Sequence, residues 1–154
     1  MPFLLSSPAF SDGSPIPGKY TREGENLSPP LRWSGAPAGT RSYALVVEDP
    51  DAPNRVFRHW GLFNIPADRE RLPESIETGP EASHVTPVAN DFGNTQYDGP
   101  EPPAGGGVHH YHFHLGALDV PNLDIPAQAG MEALWAEARK HTLAEAELVG
   151  TYER

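Results

Sequence analysis

The sequence predicts a mainly β protein, a sandwich of sheets with a helix as cover rather than a doubly wound parallel fold. Eighteen prolines and fifteen glycines among 154 residues exclude a helical bundle, because both residues disrupt helix interiors. Several segments have the apolar character or the alternation of strands, and one segment near the C-terminus has the spacing of an amphipathic helix. At this length we expect one domain, residues 1–154.

Strands are predicted near Tyr20 and at residues 31–33, 42–48, 57–65, 108–118 and 146–152. Segment 42–48 is apolar on both faces, so it should lie in the centre of a sheet. It ends before Pro50 and Pro53, because proline cannot donate a ladder hydrogen bond. Residues 66–107 should be mostly irregular, with a helical turn at 68–72.

One peripheral helix is predicted at about residues 128–140, near the C-terminus. Four apolar residues recur there at the spacing i, i+3, i+4 and i+7: Met131, Leu134, Trp135 and Ala138. This spacing places them on a single stripe that can cover a sheet.

Charge and composition exclude several classes of protein. Eleven basic residues against 21 acidic ones give a net charge of −10, which repels nucleic acid and anionic lipid. The absence of cysteine excludes disulfides, thiolate metal sites and a cysteine nucleophile. No apolar run is long enough to insert into a membrane, and residues 1–10 do not resemble a secretory signal. We therefore expect a cytoplasmic protein.

Four histidines fall within the strand at 108–118, and alternation divides them between two faces. His109 and Tyr111 share one face and follow three glycines, which allow a ligand to approach the backbone closely. Asp49 and Asp51 lie at the end of a predicted strand, where sites often form, and His59 adds another donor just before Trp60. Together these five residues could form a small polar pocket. Taken singly, each also has a structural explanation, since the aspartates suit a turn and His59 suits a core.

The opposite face carries His110, His112 and His114 in a row. This alternate spacing could present three imidazoles to one metal ion. A carboxylate would complete the site, and three candidates are Glu48, Asp119 and Asp124. A metal-dependent hydrolase or oxygenase is therefore the alternative function. A solvated sheet face or a subunit contact is the simpler explanation of the row.

Other catalytic signatures are absent from the sequence. It contains no G-x-S-x-G nucleophile elbow and no phosphate-binding loop of the G-x-x-x-x-G-K type. No activated nucleophile or assembled triad accompanies the predicted pocket. We therefore predict a binding protein rather than an enzyme, with no cofactor and no resident metal.

The chain resembles the phosphatidylethanolamine-binding protein family, also called Raf kinase inhibitor proteins, and most of all its bacterial and archaeal branch. The segments that carry the resemblance are N-L-S-P-x-L-x-W at 26–33, D-P-D-A-P at 49–53, H-W at 59–60, N-D-F-G at 90–93, Y-x-G-P-x-P-P at 97–103, G-V-H-H-Y-x-F at 107–113 and L-x-G-T-Y at 148–152. They occur in the family's order from about residue 8 to residue 154.

The resemblance implies a large central antiparallel sheet, a smaller sheet and a peripheral helix. It also implies a pocket that binds a small anion or phosphorylated head group, and its residues fall on Asp49, Asp51, His59, His109 and Tyr111. Eukaryotic members modulate kinases or other proteins, and bacterial members often form homodimers. Two departures are His110, where the family usually has arginine, and segment 54–58, which usually is rich in glycine and aromatics.

Charge limits what such a pocket can hold. A dianion beside two carboxylates on an acidic chain is disfavoured. A monoanionic phosphate, a protonated histidine or a zwitterionic ligand with its ammonium against Asp51 would relieve the repulsion. We therefore expect binding to weaken as the pH rises through about 7.

Overall fold

The computed structural model describes residues 2–53, 55–126 and 129–154. The eight strands within these ranges are β1 (Leu4–Ser6), β2 (Leu31–Ser34), β3 (Ser42–Asp49), β4 (Phe57–Pro66), β5 (Arg71–Leu72), β6 (Thr86–Pro87), β7 (His109–Leu118) and β8 (Thr142–Tyr152). Helix α1 is Met131–Arg139, and three single turns of 3₁₀ helix are Gly18–Tyr20, Ile76–Thr78 and Ala82–His84.

The strands form two antiparallel sheets. The larger sheet has the order β6-β4-β3-β7-β8, and the smaller has the order β1-β2-β5. β3 therefore lies in the centre of the larger sheet, as its two apolar faces predict. The predicted class is confirmed: a large central sheet, a smaller sheet and one helix near the C-terminus.

Two layers of core lie on opposite faces of the larger sheet. Tyr43, Leu45 and Val47 of β3 point into the layer between the two sheets, where they meet Leu5 and Trp33. The alternate residues of β3 point to the other face. There Ala44 and Val46 meet α1 through its buried stripe, which consists of Met131, Leu134, Trp135 and Ala138. In β7, Tyr111 and Phe113 likewise point into the layer between the two sheets.

Two of the sequence predictions for local structure are wrong. Tyr20 lies in a 3₁₀ turn, because the Pro17 carbonyl accepts its N–H at 3.0 Å instead of a neighbouring strand. The helical turn expected at 68–72 is a bend closed by the hydrogen bond from Arg69 N–H to the Pro66 carbonyl at 3.1 Å. β5 follows that bend, since Leu72 precedes a proline and is held extended.

The boundaries near the C-terminus also differ from the prediction. α1 begins at Met131, where the Gly130 carbonyl accepts the first helical hydrogen bond, from Leu134 N–H at 3.1 Å. The predicted start at 128 lies outside the described residues. β8 begins at Thr142, four residues earlier than expected.

An N-terminal segment lies along the outer edge of β8. Gly13 N–H donates to the Val149 carbonyl and Ile16 N–H to the Thr151 carbonyl, both at 2.7 Å. In return, Thr151 N–H donates to the Ser14 carbonyl at 3.0 Å. The last residues of β8 are therefore paired on both sides.

Candidate functional site

The ends of three neighbouring strands meet at one edge of the larger sheet. β3 ends at Asp49, and β4 and β7, its neighbours on either side, begin at the same edge because each runs antiparallel to β3. Four of the five predicted site residues line one cavity of about 180 Å³ at this edge: Asp49, His59, His109 and Tyr111. Its other lining residues are Ala52, Pro53, Phe57, Phe92, Glu101, Pro102 and Pro103.

Asp49 holds the His109 ring in place. His109 Nδ1 lies 2.6 Å from Asp49 Oδ2, and both side chains are buried. The other carboxylate oxygen, Oδ1, accepts the backbone N–H of Asp51 at 2.8 Å. Because a carboxylate only accepts, Nδ1 carries a proton and Nε2 is the nitrogen left for a ligand. Asp49 therefore positions His109 instead of contacting a ligand with a free carboxylate.

His59 is enclosed by aromatic rings. The ring centroids of Phe57, Phe92 and Tyr111 lie 5.1, 5.5 and 5.3 Å from its own. Its Nδ1 donates to the backbone carbonyl of Asp98 at 2.9 Å, which leaves Nε2 as an acceptor. Burial lowers the pKa of His59 below its ordinary value of 6.5. His59 is therefore neutral at pH 7.

Tyr111 contributes a buried phenol to the lining of the cavity. Burial raises the pKa of Tyr111 far above its ordinary value, and the charges of Asp49 and Asp51 raise it further. The hydroxyl therefore keeps its proton at any physiological pH. A neutral phenol in a desolvated cavity is a good donor to an anionic oxygen.

The structure places Asp51 beside His110. Asp51 Oδ2 accepts both the backbone N–H and the Nδ1 of His110 at 2.8 Å, and the Asp51 side chain is 41% exposed. The hydrogen bond from the His110 side chain is the main cause that lowers the pKa of Asp51. These contacts tie the loop after β3 to the start of β7, and they direct the carboxylate of Asp51 to His110.

A buried polar cluster supports His59, and sequence reasoning did not find it. The carboxylate of Asp98 accepts the side-chain amides of Asn26, Asn90 and Asn94 at 2.9, 2.8 and 2.8 Å. Burial alone would raise the pKa of Asp98, but these hydrogen bonds keep it below its ordinary value. The available signal was that three of these four residues fall in the segments 26–33, 90–93 and 97–103.

A model of the phosphatidylethanolamine-binding protein family matches residues 6–153. The chain belongs to that family. A UPF0098 protein of Methanothermobacter thermautotrophicus is 44% identical over 97% of this chain and 98% of its own length. E. coli YbcL, a solved member of the family, has a TM-score of 0.92 and 31% identity, over 99% of this chain and 98% of its own. CT736 of Chlamydia trachomatis was solved as a homologue of phosphatidylethanolamine-binding protein. It has a TM-score of 0.88 and 36% identity, over 99% of this chain and 97% of its own.

In this member of the phosphatidylethanolamine-binding protein family, the three-histidine row does not converge on one point. His110 lies against Asp51, whereas His112 and His114 lie near Glu147 of β8. Glu48, one of the three carboxylates predicted as a further ligand, contacts the Nε2 atom of His114. Asp119, another of them, instead lies 3.2 Å from His141. The set of three ligands expected for the metal-dependent enzyme is therefore not formed, and family membership gives that alternative no support.

No helix among residues 2–53, 55–126 and 129–154 of this family member is both long and apolar enough to cross a membrane.

Proposed function

We propose that the cavity between β3, β4 and β7 binds a small phosphorylated or anionic group, and that the protein acts by binding rather than by catalysis. The observation that carries the proposal is the convergence of three polar groups on one small cavity. These are the free Nε2 atoms of His59 and His109 and the protonated hydroxyl of Tyr111.

The size of the cavity restricts the ligand. Pockets for drug-sized molecules measure roughly 300 to 1,000 Å³, whereas this cavity is about 180 Å³. A phosphate or a compact phosphorylated head group suits that volume. The aromatic and proline walls lower the local dielectric, which strengthens the few polar contacts inside.

The charges restrict the protonation state of the ligand. No lysine or arginine is among the described residues that line the cavity, and Asp49 and Glu101 are acidic. A monoanionic phosphate ester can donate its own proton to the neutral His59 and accept from Tyr111. Since the second pKa of phosphate esters is near 6, affinity should fall as the pH rises through about 7. Burial argues against the alternative in which His59 becomes the imidazolium.

The absence of catalysis is part of this proposal. The His109–Asp49 pair could activate a neighbouring hydroxyl or amine, as in hydrolases. The described residues that line the cavity include no serine, threonine or lysine to receive that activation. We therefore expect the pair to hold a ligand in one orientation.

A histidine-resolved NMR titration tests the proposal. Inorganic phosphate and phosphorylethanolamine are added separately to the full chain, and we expect ring shifts at His59 and His109. His109→Gln should weaken binding at least tenfold. The matched control His141→Gln, a partly exposed histidine beside Asp119, should bind as the wild type does. Static His59 and His109 signals with both compounds would contradict the proposal, and a response to phosphorylethanolamine alone would identify a head-group site.

We also propose that the occupied cavity controls contact with a protein partner, a kinase being the class that the family resemblance suggests. The mouth of the cavity carries Glu101, which pairs with Arg22 at 3.5 Å, so a ligand there would alter the surface offered to a partner.

The cytoplasmic location and the homodimer stay predictions. Cell fractionation and analytical ultracentrifugation test them.

A further inference from the structure

Two histidines and a glutamate converge on the outer face of the larger sheet, away from the cavity. His112 and His114 project from β7, and Glu147 projects from β8 directly opposite His114. One nitrogen of each ring and one carboxylate oxygen all lie within 4.8 Å of one another. The family's usual pocket residues are on the other face of β7, so this cluster is a separate feature of the molecule.

The distances within this cluster suit a common central ion. Glu147 Oε2 lies 3.4 Å from His112 Nδ1 and 3.2 Å from His114 Nδ1. Zinc bonds nitrogen and oxygen ligands at about 2.0 to 2.2 Å in a tetrahedron, which separates the ligand atoms by about 3.3 Å. The two distances from Glu147 therefore match the spacing of a tetrahedral ion, and the ligand atoms of the two histidines lie within 4.8 Å of each other.

A second carboxylate orients one of the rings. His114 Nε2 lies 3.3 Å from Glu48 Oε1, and Glu48 is anchored in turn by Arg58 Nε at 3.2 Å. Zinc-binding histidines commonly donate their second nitrogen to a carboxylate in this way, which fixes the tautomer and makes the ligating nitrogen more basic. With Nε2 donating to Glu48, Nδ1 of His114 presents its lone pair towards Glu147.

The packing makes the cluster rigid on one side and open on the other. The His112 and His114 rings stack at 6.0 Å and 15°, and the Trp135 ring of α1 lies 5.8 Å from His114. The histidine side chains are only 28% and 20% exposed, whereas that of Glu147 is 48% exposed. Solvent can therefore reach the fourth position of a tetrahedral site.

The contacts of His114 leave a place for a cation. A neutral imidazole has a single N–H, so a neutral His114 cannot donate to both Glu48 and Glu147. With Nε2 donating to Glu48, the Nδ1 lone pair faces the Glu147 carboxylate, and a proton or a metal cation between them relieves the repulsion. We propose that His112, His114 and Glu147 bind one divalent transition-metal ion, with zinc as the best match, and that Glu48 is the positioning residue for His114. Water occupies the fourth position. The ion would link β7 to β8, because its ligands come from both strands. This proposal does not depend on what binds in the cavity.

The test is a zinc titration of the metal-stripped full chain against a chromophoric chelator. We expect one zinc ion per chain, and at least tenfold weaker binding in His112→Gln, His114→Gln and Glu147→Gln. Glu48→Gln should weaken binding by roughly ten- to a hundredfold, as is usual for a residue that orients a zinc-bound histidine. The matched controls His110→Gln and His141→Gln alter histidine–carboxylate pairs elsewhere and should bind zinc as the wild type does.

A second measurement covers variants that fold poorly. Cobalt added to the wild type should give the visible absorption of a tetrahedral ion, and zinc should raise the melting temperature of the wild type but not of Glu147→Gln. Failure to bind one equivalent of zinc would overturn the proposal. Equal loss of binding in the His110→Gln control would overturn it too, because the three named side chains would then not be the ligands. Neither result affects the titration of the cavity with phosphate.

Discussion

At the scale of single residues, the site depends on which ring nitrogen each histidine can offer. His59 and His109 each give Nδ1 to an oxygen acceptor, the carbonyl of Asp98 and the carboxylate of Asp49. Both rings are thereby held with Nε2 free. Strand alternation predicted that His109 and Tyr111 share a face. It could not predict that the Asp49 carboxylate would hydrogen-bond to His109 instead of facing a ligand. That contact depends on how two strands distant in sequence come together.

The buried state of His59 makes the stability of the protein depend on pH. Because burial lowers the pKa of His59 in the folded state, the unfolded chain binds more protons once the pH falls below about 6.5. This contribution to stability is therefore complete above that pH and is lost as the pH falls towards the lower folded value. Urea unfolding at about pH 7.5 and about pH 5.5 should show a larger loss for the wild type than for His59→Gln. An NMR titration midpoint for His59 at or above 6.5 would contradict this.

The buried carboxylate of Asp98 should be essential to the site as well as to the fold. In Asp98→Asn an amide replaces an acceptor of three amide donors, so at least one buried N–H loses its partner. Such a loss costs about 1 to 3 kcal/mol of unfolding free energy. We expect that destabilisation in urea melts, together with weaker phosphorylethanolamine binding through the shifted His59. The exposed Asp124→Asn should change neither quantity, and unaltered binding by a folded Asp98→Asn would show that the cluster does not position His59.

At the scale of elements, the long strands and the helix could be predicted because each has a periodic pattern of its own. β3 is apolar on both faces, and α1 has one apolar stripe. The elements that were missed, β1, β5 and β6, are two or three residues long and exist only where a partner strand is brought to them. Phe92 and Pro102 reach the cavity from loops, whose positions depend on the same distant contacts.

The packing of α1 on the larger sheet requires a residue without a side chain in β4. A Cβ atom at Gly61 would lie 2.6 Å from Met131 Sδ and 2.8 Å from Val88 Cγ2. Gly61→Ala should therefore destabilise the protein by about 1 to 3 kcal/mol, the usual cost of overfilling a core. Urea melts measure it, with Gly18→Ala as the control because nothing lies within 4 Å of a Cβ there. Equal stabilities for the two variants would mean that Met131 moves aside without cost.

At the scale of the whole molecule, the net charge of −10 opposes the approach of any anion. Salt screens that repulsion, so raising the ionic strength from about 20 to about 150 mM should strengthen phosphate binding about two- to threefold. Sites built from lysine and arginine show the opposite trend. NMR titrations with inorganic phosphate at about pH 6 measure the effect. Glu101→Gln should bind phosphate more tightly than Glu132→Gln on α1, and its affinity should depend less on salt. Weaker phosphate binding at higher salt would contradict the expected repulsion.

The pairing of residues 13–16 with the end of β8 has a consequence for synthesis. The Asp12 carboxylate accepts the backbone N–H of Val149 at 2.8 Å, and the two residues are 137 positions apart in the chain. A ribosome adds about 5 to 20 residues each second, so the early segment waits for many seconds before its partner exists. During that interval its backbone groups remain hydrated. The sheet edge is sealed only after nearly the whole domain has emerged, which makes this closure one of the last steps of folding on the ribosome.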